Sequence, residues 1–399
     1  MRYIIIACLF LFSSLFGKIP DKYAVSKNCA VCHLQKAKDW RTTWHSRSHI
    51  SKNPLYKKVL DFLSKKHTKY VQQYAVSCGQ CHNPRMEIKN VHDKDQSLEY
   101  AKLLGIHMDV TDKVDTALKN KTVKEGISCI VCHNIKKIKN SKNINDRGYK
   151  DIVFGPPNVM VGPYKESNRP VYHKMEQGSH FLHKNVNKIC FICHYGYKKG
   201  NHFYYKTGIE YEKSKSSAKC VDCHMGKPKV EIIAPKINSK DAVARVTRRH
   251  LFKAARNSNI LKSSLKISSA IDNGILSLNI TNITPHNVPT GFSGRSIVVE
   301  ILFKKGKKTL KRYKKEITMK YIDENNNETL SYDANILVYD NRFKPDETKQ
   351  FNFAVVPDAD NVIVNIYYRL VKKSLIKTLD IKDPLFLKKY PIYYRDISL

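Results

Sequence analysis

The apolar positions of this 399-residue chain follow two different rules. From about residue 262 onward they alternate. Leu276, Leu278 and Ile280 are interleaved with Ser277, Asn279 and Thr281. Phe351, Phe353 and Val355 repeat the pattern, and so do Val362, Val364, Ile366 and Tyr368. A period of two sends every second side chain to one face of an extended backbone, so these runs predict short strands with one buried face. Asp323 to Glu328 reads as the turn of a hairpin between them. Together they predict an Ig-like β-sandwich over residues 262–383. The aromatic and basic tail, 384–399, is expected to dock back on the protein.

Before residue 262 the spacing is helical and often interrupted. Asn53-Pro54 is a cap followed by proline in the first turn, and Leu55, Val59, Phe62 and Leu63 then make an apolar stripe. Ser97 to Leu104 reads as a helix that ends at Gly105. Residues 140–168 are rich in Asn, Gly and Pro and read as loop. At the N-terminus, Arg2 and the apolar run Ile4 to Phe16 have the form of an export signal, with small Gly17 where cleavage would fall. Residues 1–17 are therefore expected to be a signal peptide, and the mature chain periplasmic. The run is short for a membrane span, and no later segment is long and apolar enough to be one.

The cysteines change the picture. Of 11, Cys8 falls in the signal segment. The other ten form five pairs, each Cys-x-x-Cys followed directly by His: Cys29, Cys32 and His33; Cys78, Cys81 and His82; Cys129, Cys132 and His133; Cys190, Cys193 and His194; Cys220, Cys223 and His224. Two thiols at this spacing add across the two vinyl groups of a haem, and the adjacent histidine reaches the iron as its proximal ligand. Disulfides suit an exported chain but leave the histidines unexplained. Zinc ribbons pair such motifs, and five is odd. The expectation is five covalently bound haem c groups in a domain spanning residues 18–261. The motif histidines are 49, 51, 61 and 30 residues apart, too irregular for a repeat architecture. With one haem for roughly every forty residues, porphyrins replace much of an ordinary core, and short helices and irregular segments are expected to pack on them.

Sixteen histidines less the five in motifs leave eleven, enough to place a second imidazole on every iron. The distal candidates are His45, His49, His107, His180, His183, His250 and His286. His45 and His49 are four apart and would share a face if helical. His107 follows the Gly105 helix end, His180 and His183 precede the fourth motif, His250 stands in Arg-Arg-His-Leu-Phe, and His286 in a turn-rich Pro-His-Asn-Val-Pro-Thr-Gly loop. His67, His92, His173 and His202 rank below them. Met108 and Met225 are the methionine alternatives. Two imidazoles give a lower potential than imidazole and thioether, so a low-potential carrier is expected.

These motifs, with Trp40-x-x-Thr43-x-His45, Gly126-Ile-Ser-Cys129, His250 and His286, resemble the multihaem cytochromes of the group that includes the nitrifiers' tetrahaem cytochrome c and hydroxylamine oxidoreductase. The resemblance covers residues 29 to about 290. It implies closely packed, stacked haem pairs, and distal ligation by histidines such as His250 and His286. Members of the group are carriers, or act on small nitrogen or sulfur compounds. The chain lacks the Cys-x-x-Cys-Lys motif of the pentahaem nitrite reductases.

The charge balance is 71 Lys and Arg against 35 Asp and Glu, a formal +36. It is compatible with acidic redox partners or an anionic membrane surface. Nucleic acid is set aside, since export and haem argue against it. The leading expectation is electron transfer between redox partners, such as a quinol dehydrogenase and a terminal reductase, with no catalytic residue of its own. The alternative is an oxidoreductase with one open haem acting on nitrite, hydroxylamine or a sulfur oxyanion. The two differ in whether any haem lacks a distal protein ligand.

Overall fold

The computed structural model describes residues 25–86, 96–106, 108–157, 159–165, 173–182, 184–199, 202–235 and 243–399. The segment read as a signal peptide lies outside them, as do His92, His107 and His183.

The described residues between 25 and 262 form short helices joined by turns, with four two-stranded ladders among them. Pro54–Lys66 begins where the sequence places it: the Asn53 side chain accepts from the Tyr56 amide at 3.1 Å, satisfying one of the free N–H groups of the first turn. Gln96–Leu103 is followed by Gly105 at φ +66°, a left-handed residue that suits glycine. The stretch read as loop carries more order than expected. Ile152–Phe154 pairs with Ile135–Ile138, and Val159–Gly162 runs parallel to Lys174–Gln177.

The C-terminal region is sheet-rich, with two open sheets. One has the order Thr348–Ala354, Ile275–Asn282, Leu265–Asp272. The other runs Glu328–Thr329, Lys308–Ile322, Ser296–Lys305, Asn361–Arg369, Tyr390–Ser398, with Ile336–Asp340 also paired to the long strand. The alternation is realised in burial. Leu276, Leu278 and Ile280 from the first sheet meet Ile297, Val299, Ile301, Phe303, Val362, Val364 and Ile366 from the second in one apolar cluster. The tail docks as the outer strand of the larger sheet, antiparallel to Asn361–Arg369.

The stripe on Pro54–Lys66 faces the sheets: Val59 and Leu63 enter the C-terminal cluster, with Leu55 and Phe62 packed against it. A second face, Tyr56 and Leu60, packs with Ala75 beside Cys78. This helix therefore ties the two regions together. Its last turn is fixed by charge. Lys66 reaches both Asp323 and Asp333, and the His67 Nε2 lies 2.7 Å from Asp333.

A second junction is a buried ion cluster. Arg342, 1% exposed, bonds Glu210 at 2.8 Å and Asp340 at 2.7 Å, and Lys206 reaches Asp340 at 3.2 Å. Burial by itself would raise the Asp340 pKa, but the bonded Arg342 guanidinium and then Lys206 hold it at about 2. The folded value lies below the ordinary one of 3.8, so this contribution is present above about pH 4 and lost as pH falls through about 2. Replacing Asp340 by Asn is expected to cost about 2 kcal/mol at neutral pH. Thermal melts from pH 7 to 2 should show a shallower acid limb in the variant. Parallel curves for the two proteins would refute this assignment.

Candidate haem-binding centre

Each motif sits on a helical turn: Ser26–Cys29 leads into the first, Val71–His82 ends on the second, Val186–His194 on the fourth, and Cys129–His133 and Cys220–His224 are themselves single turns. On a helix, positions i, i+3 and i+4 share a face, so both thiols and the imidazole point to the same side. None of the ten motif cysteines is joined in a disulfide.

Four motif histidines face a second histidine. His33 lies opposite His173 with ring centroids 6.3 Å apart, His194 opposite His45 at 6.2 Å, His133 opposite His250 at 6.1 Å, and His224 opposite His286 at 6.5 Å. A metal held between one nitrogen of each ring, at the ~2 Å of metal–imidazole bonds, separates the centroids by roughly 6 Å. The rings are thus spaced for a six-coordinate iron.

The other ring nitrogen is already occupied in most of them. Nδ1 of His82, His133 and His224 lies against the carbonyls of Ser48, Val161 and Lys253 at 3.2, 3.0 and 2.5 Å, and that of His33 against Ile233 at 3.3 Å. Nδ1 of His250 and His286 meets Arg248 and Asn287 carbonyls at 3.2 and 3.0 Å. A carbonyl there fixes the tautomer and leaves Nε2 free to bind metal. Burial drives His45 and His250 down to about 4 and His194 to about 3, so these rings are neutral at physiological pH, as ligation requires. The surroundings fit as well: apart from the sheet cluster, the apolar clusters of the motif-bearing region are small, so bulky flat groups suit the space between motifs.

The motifs interlock across long sequence separations. Cys29 lies beside Cys129, Cys193 beside Cys81, Cys190 beside Cys220, and Cys132 near Cys193. The first motif therefore meets the third, the third meets the fourth, and the fourth also meets the second and the fifth. Local contacts hold these junctions. Glu125 caps the first motif's helix, accepting from the Ser26 amide at 2.8 Å, and Asn187 accepts from the Cys220 amide at 2.9 Å.

The residues around His45 are drawn into the same junctions. Trp40 Nε1 donates to the Ile127 carbonyl at 2.7 Å, and the Ile127 amide donates to the His45 carbonyl at 3.0 Å. Gly126, at φ +66°, lies where a Cβ would strike Ser48 Oγ. Ser48 Oγ in turn donates to the His82 carbonyl at 2.8 Å. Asp39 performs the matching task for His250: it accepts from the His250 amide at 3.0 Å and grips Arg249 through both carboxylate oxygens.

The remaining candidates fall elsewhere. His49, 1% exposed, holds Ser51 through Nδ1 at 2.8 Å, and His45 sits in the 3-10 turn His45–Arg47, so the two do not share a regular helix face. His180 is buried against Phe181, and the Nε2 atoms of His180 and His49 are both buried without a hydrogen-bond partner. His67 is taken by Asp333. His107 and His183 lie outside the described residues, and the ring of His202 is not described. Met108 packs beside the Val76 and Val114 cluster. His173, ranked low from sequence, is one of the paired rings. Nothing in its neighbourhood along the chain marks it, because its partner is 140 residues away. The carbonyl acceptors and Ser48 carry no sequence signal either.

Helical Cys-x-x-Cys-His turns, opposed imidazoles and carbonyl-held Nδ1 atoms define a multihaem c-type cytochrome. Residues 28–101 match the family model described as "Cytochrome c554 and c-prime". The fold is similar to that in the crystal structure of a penta-heme cytochrome c552 from Thermochromatium tepidum, with a TM-score of 0.67 and 17% identity over 94% of this chain and 98% of that one. No curated protein matches the sequence.

Proposed function

We propose that this chain is a periplasmic electron carrier holding five haem c groups, four of them between paired histidines, and that it belongs with the group of the nitrifiers' tetrahaem cytochrome c and hydroxylamine oxidoreductase. The observation that carries the reading is the set of four imidazole pairs at 6.1–6.5 Å. Haem c, when bound, supplies an iron that cycles between ferric and ferrous states. The protein's own residues supply the rest. Carbonyls orient the motif histidines, paired rings saturate the irons, and interlocked motifs bring neighbouring haems close. Electrons would enter from a quinol dehydrogenase and leave to a terminal reductase, with the sheet region, read as an Ig-like sandwich, bracing the array.

A second reading has its own observation. The described residues place no histidine opposite His82, whose ring is instead stacked on Tyr56 at 4.1 Å and 11°. An open iron there would support an oxidoreductase acting on nitrite, hydroxylamine or a sulfur oxyanion. Low-temperature EPR of the oxidised, haem-loaded protein separates the two. At least four low-spin ferric haems per chain are expected, and fewer would sink the carrier reading. A high-spin signal near one haem per chain would direct turnover assays to those three substrates.

A further inference from the structure

Eight of the twelve residues 304–315 are Lys or Arg, and none is acidic. They form the turn and outer strand of the hairpin made by Ser296–Lys305 and Lys308–Ile322. Lys305, Lys307, Lys308, Lys311, Lys314 and Lys315 are all exposed. Among the described residues only Arg312 of the eight is ion-paired, to Glu300 at 3.8 Å, and it remains 62% exposed. The strand pairs with Ser296–Lys305 along one edge, while its other edge is paired only from Met319 onward. Tyr313 points inward, 6.1 Å from the Phe303 ring and 5.3 Å from that of Phe353, so the lysines ride on an anchored strand.

Lysines on an open strand edge block pairing with other chains. Eight cations with a single acidic partner exceed the need. Their position is the second clue. The inner end of Ser296–Lys305 adjoins the motif-bearing region, where Ser331 Oγ bonds both Ser293 Oγ at 3.0 Å and the Tyr204 carbonyl at 2.8 Å. From Ser296 to Lys305 the strand advances roughly 30 Å. A redox partner must approach a haem edge, and the basic run extends from the middle of this strand, where Lys315 lies opposite Val299, to the hairpin turn, away from the end that adjoins the motif-bearing region. A surface that holds the molecule and leaves its haem-bearing region free fits better.

We propose that the Lys304–Lys315 edge docks this protein on anionic phospholipid headgroups. The proposal does not depend on which redox reaction the haems serve. Each basic residue brought to an anionic bilayer strengthens binding by about fivefold, and the attraction is screened within about 10 Å at 0.1 M salt. The test is flotation of the haem-loaded protein with phosphatidylcholine vesicles, with and without 40% phosphatidylglycerol by design, at low and high salt. Wild type should float only with the anionic vesicles and be released by salt. Combined Glu substitutions at Lys307, Lys308, Lys311 and Lys314 should weaken binding at least about tenfold, with an unchanged haem spectrum confirming a folded protein. The same four charge reversals at Lys52, Lys113, Lys119 and Lys121, also exposed, should have a much smaller effect. Equal losses from both sets would overturn the proposal in favour of net charge alone. It would equally be overturned if wild type ignored anionic vesicles, including the case in which the edge variant lost only electron exchange with an acidic protein.

Discussion

Replacing Cys190 and Cys193 by Ala together is expected to remove one haem per chain and to lower the yield of soluble holoprotein by at least about tenfold. Among the described residues the fourth motif adjoins more of its fellows than any other: Cys190 lies beside Cys220, Cys193 beside Cys81, and Cys132 near Cys193. Removing the group anchored there would leave an apolar void between three other motifs, and unfilled volume of that kind is among the costliest core defects. The same change at Cys220 and Cys223 should also lose one haem but spare the yield, because Cys223 is exposed and its motif sits at the end of the array. Pyridine haemochrome and intact mass measure both outcomes. An unchanged haem count in the first variant would exclude Cys190 and Cys193 as attachment points.

Gly148→Ala should destabilise the protein by roughly 3 kcal/mol or more, from a left-handed backbone and an unavoidable overlap together. Gly148 has φ +59°, and a Cβ there would fall on the Gln80 carbonyl, inside the second motif. Gln80 is backbone within Val71–His82 and cannot step aside without moving Cys78, Cys81 and His82. Thermal melts should fall, and haem should be lost first from the second site. By contrast, Gly105→Ala meets no atom within 4 Å and carries only the backbone penalty. Equal melting temperatures for the two variants would show that the Gly148 contact is unimportant.

The parts of this molecule that were readable in advance are those set by neighbours in sequence. Cys-x-x-Cys-His is a single helical turn, so its chemistry is visible in five consecutive letters. The Asn53 cap and the Leu276, Leu278, Ile280 alternation are equally local. Lys308–Ile322 was not legible as a 15-residue strand, because charges on its exposed half hide the period of two. The distal pairs were only partly legible. His250 and His286 stand in distinctive segments, whereas His173 does not. His49 is as good a candidate as His45 by spacing, yet His45 opens a 3-10 turn, so the two share no regular helix face, and His49 Nδ1 is held by Ser51. Which ring meets which motif depends on chain contacts separated by 62 to 149 residues, and no periodicity records those.

Those separations also set a clock. A polypeptide emerges from its N-terminus, and His33 appears long before His173, His133 long before His250, and His224 before His286. In three of the four pairs the motif histidine therefore exists for a time without its mate. In the fourth the order is reversed, and His45 waits for His194. Even the carbonyl that steadies His33 belongs to Ile233, two hundred residues later. On the proposed ligation, haem attachment would need only the local turn, and pairing of the four irons would follow behind it. The pair of His224 and His286 would then close only when the sheet region delivers His286, so its completion would await the docking of a region that carries no haem motif at all.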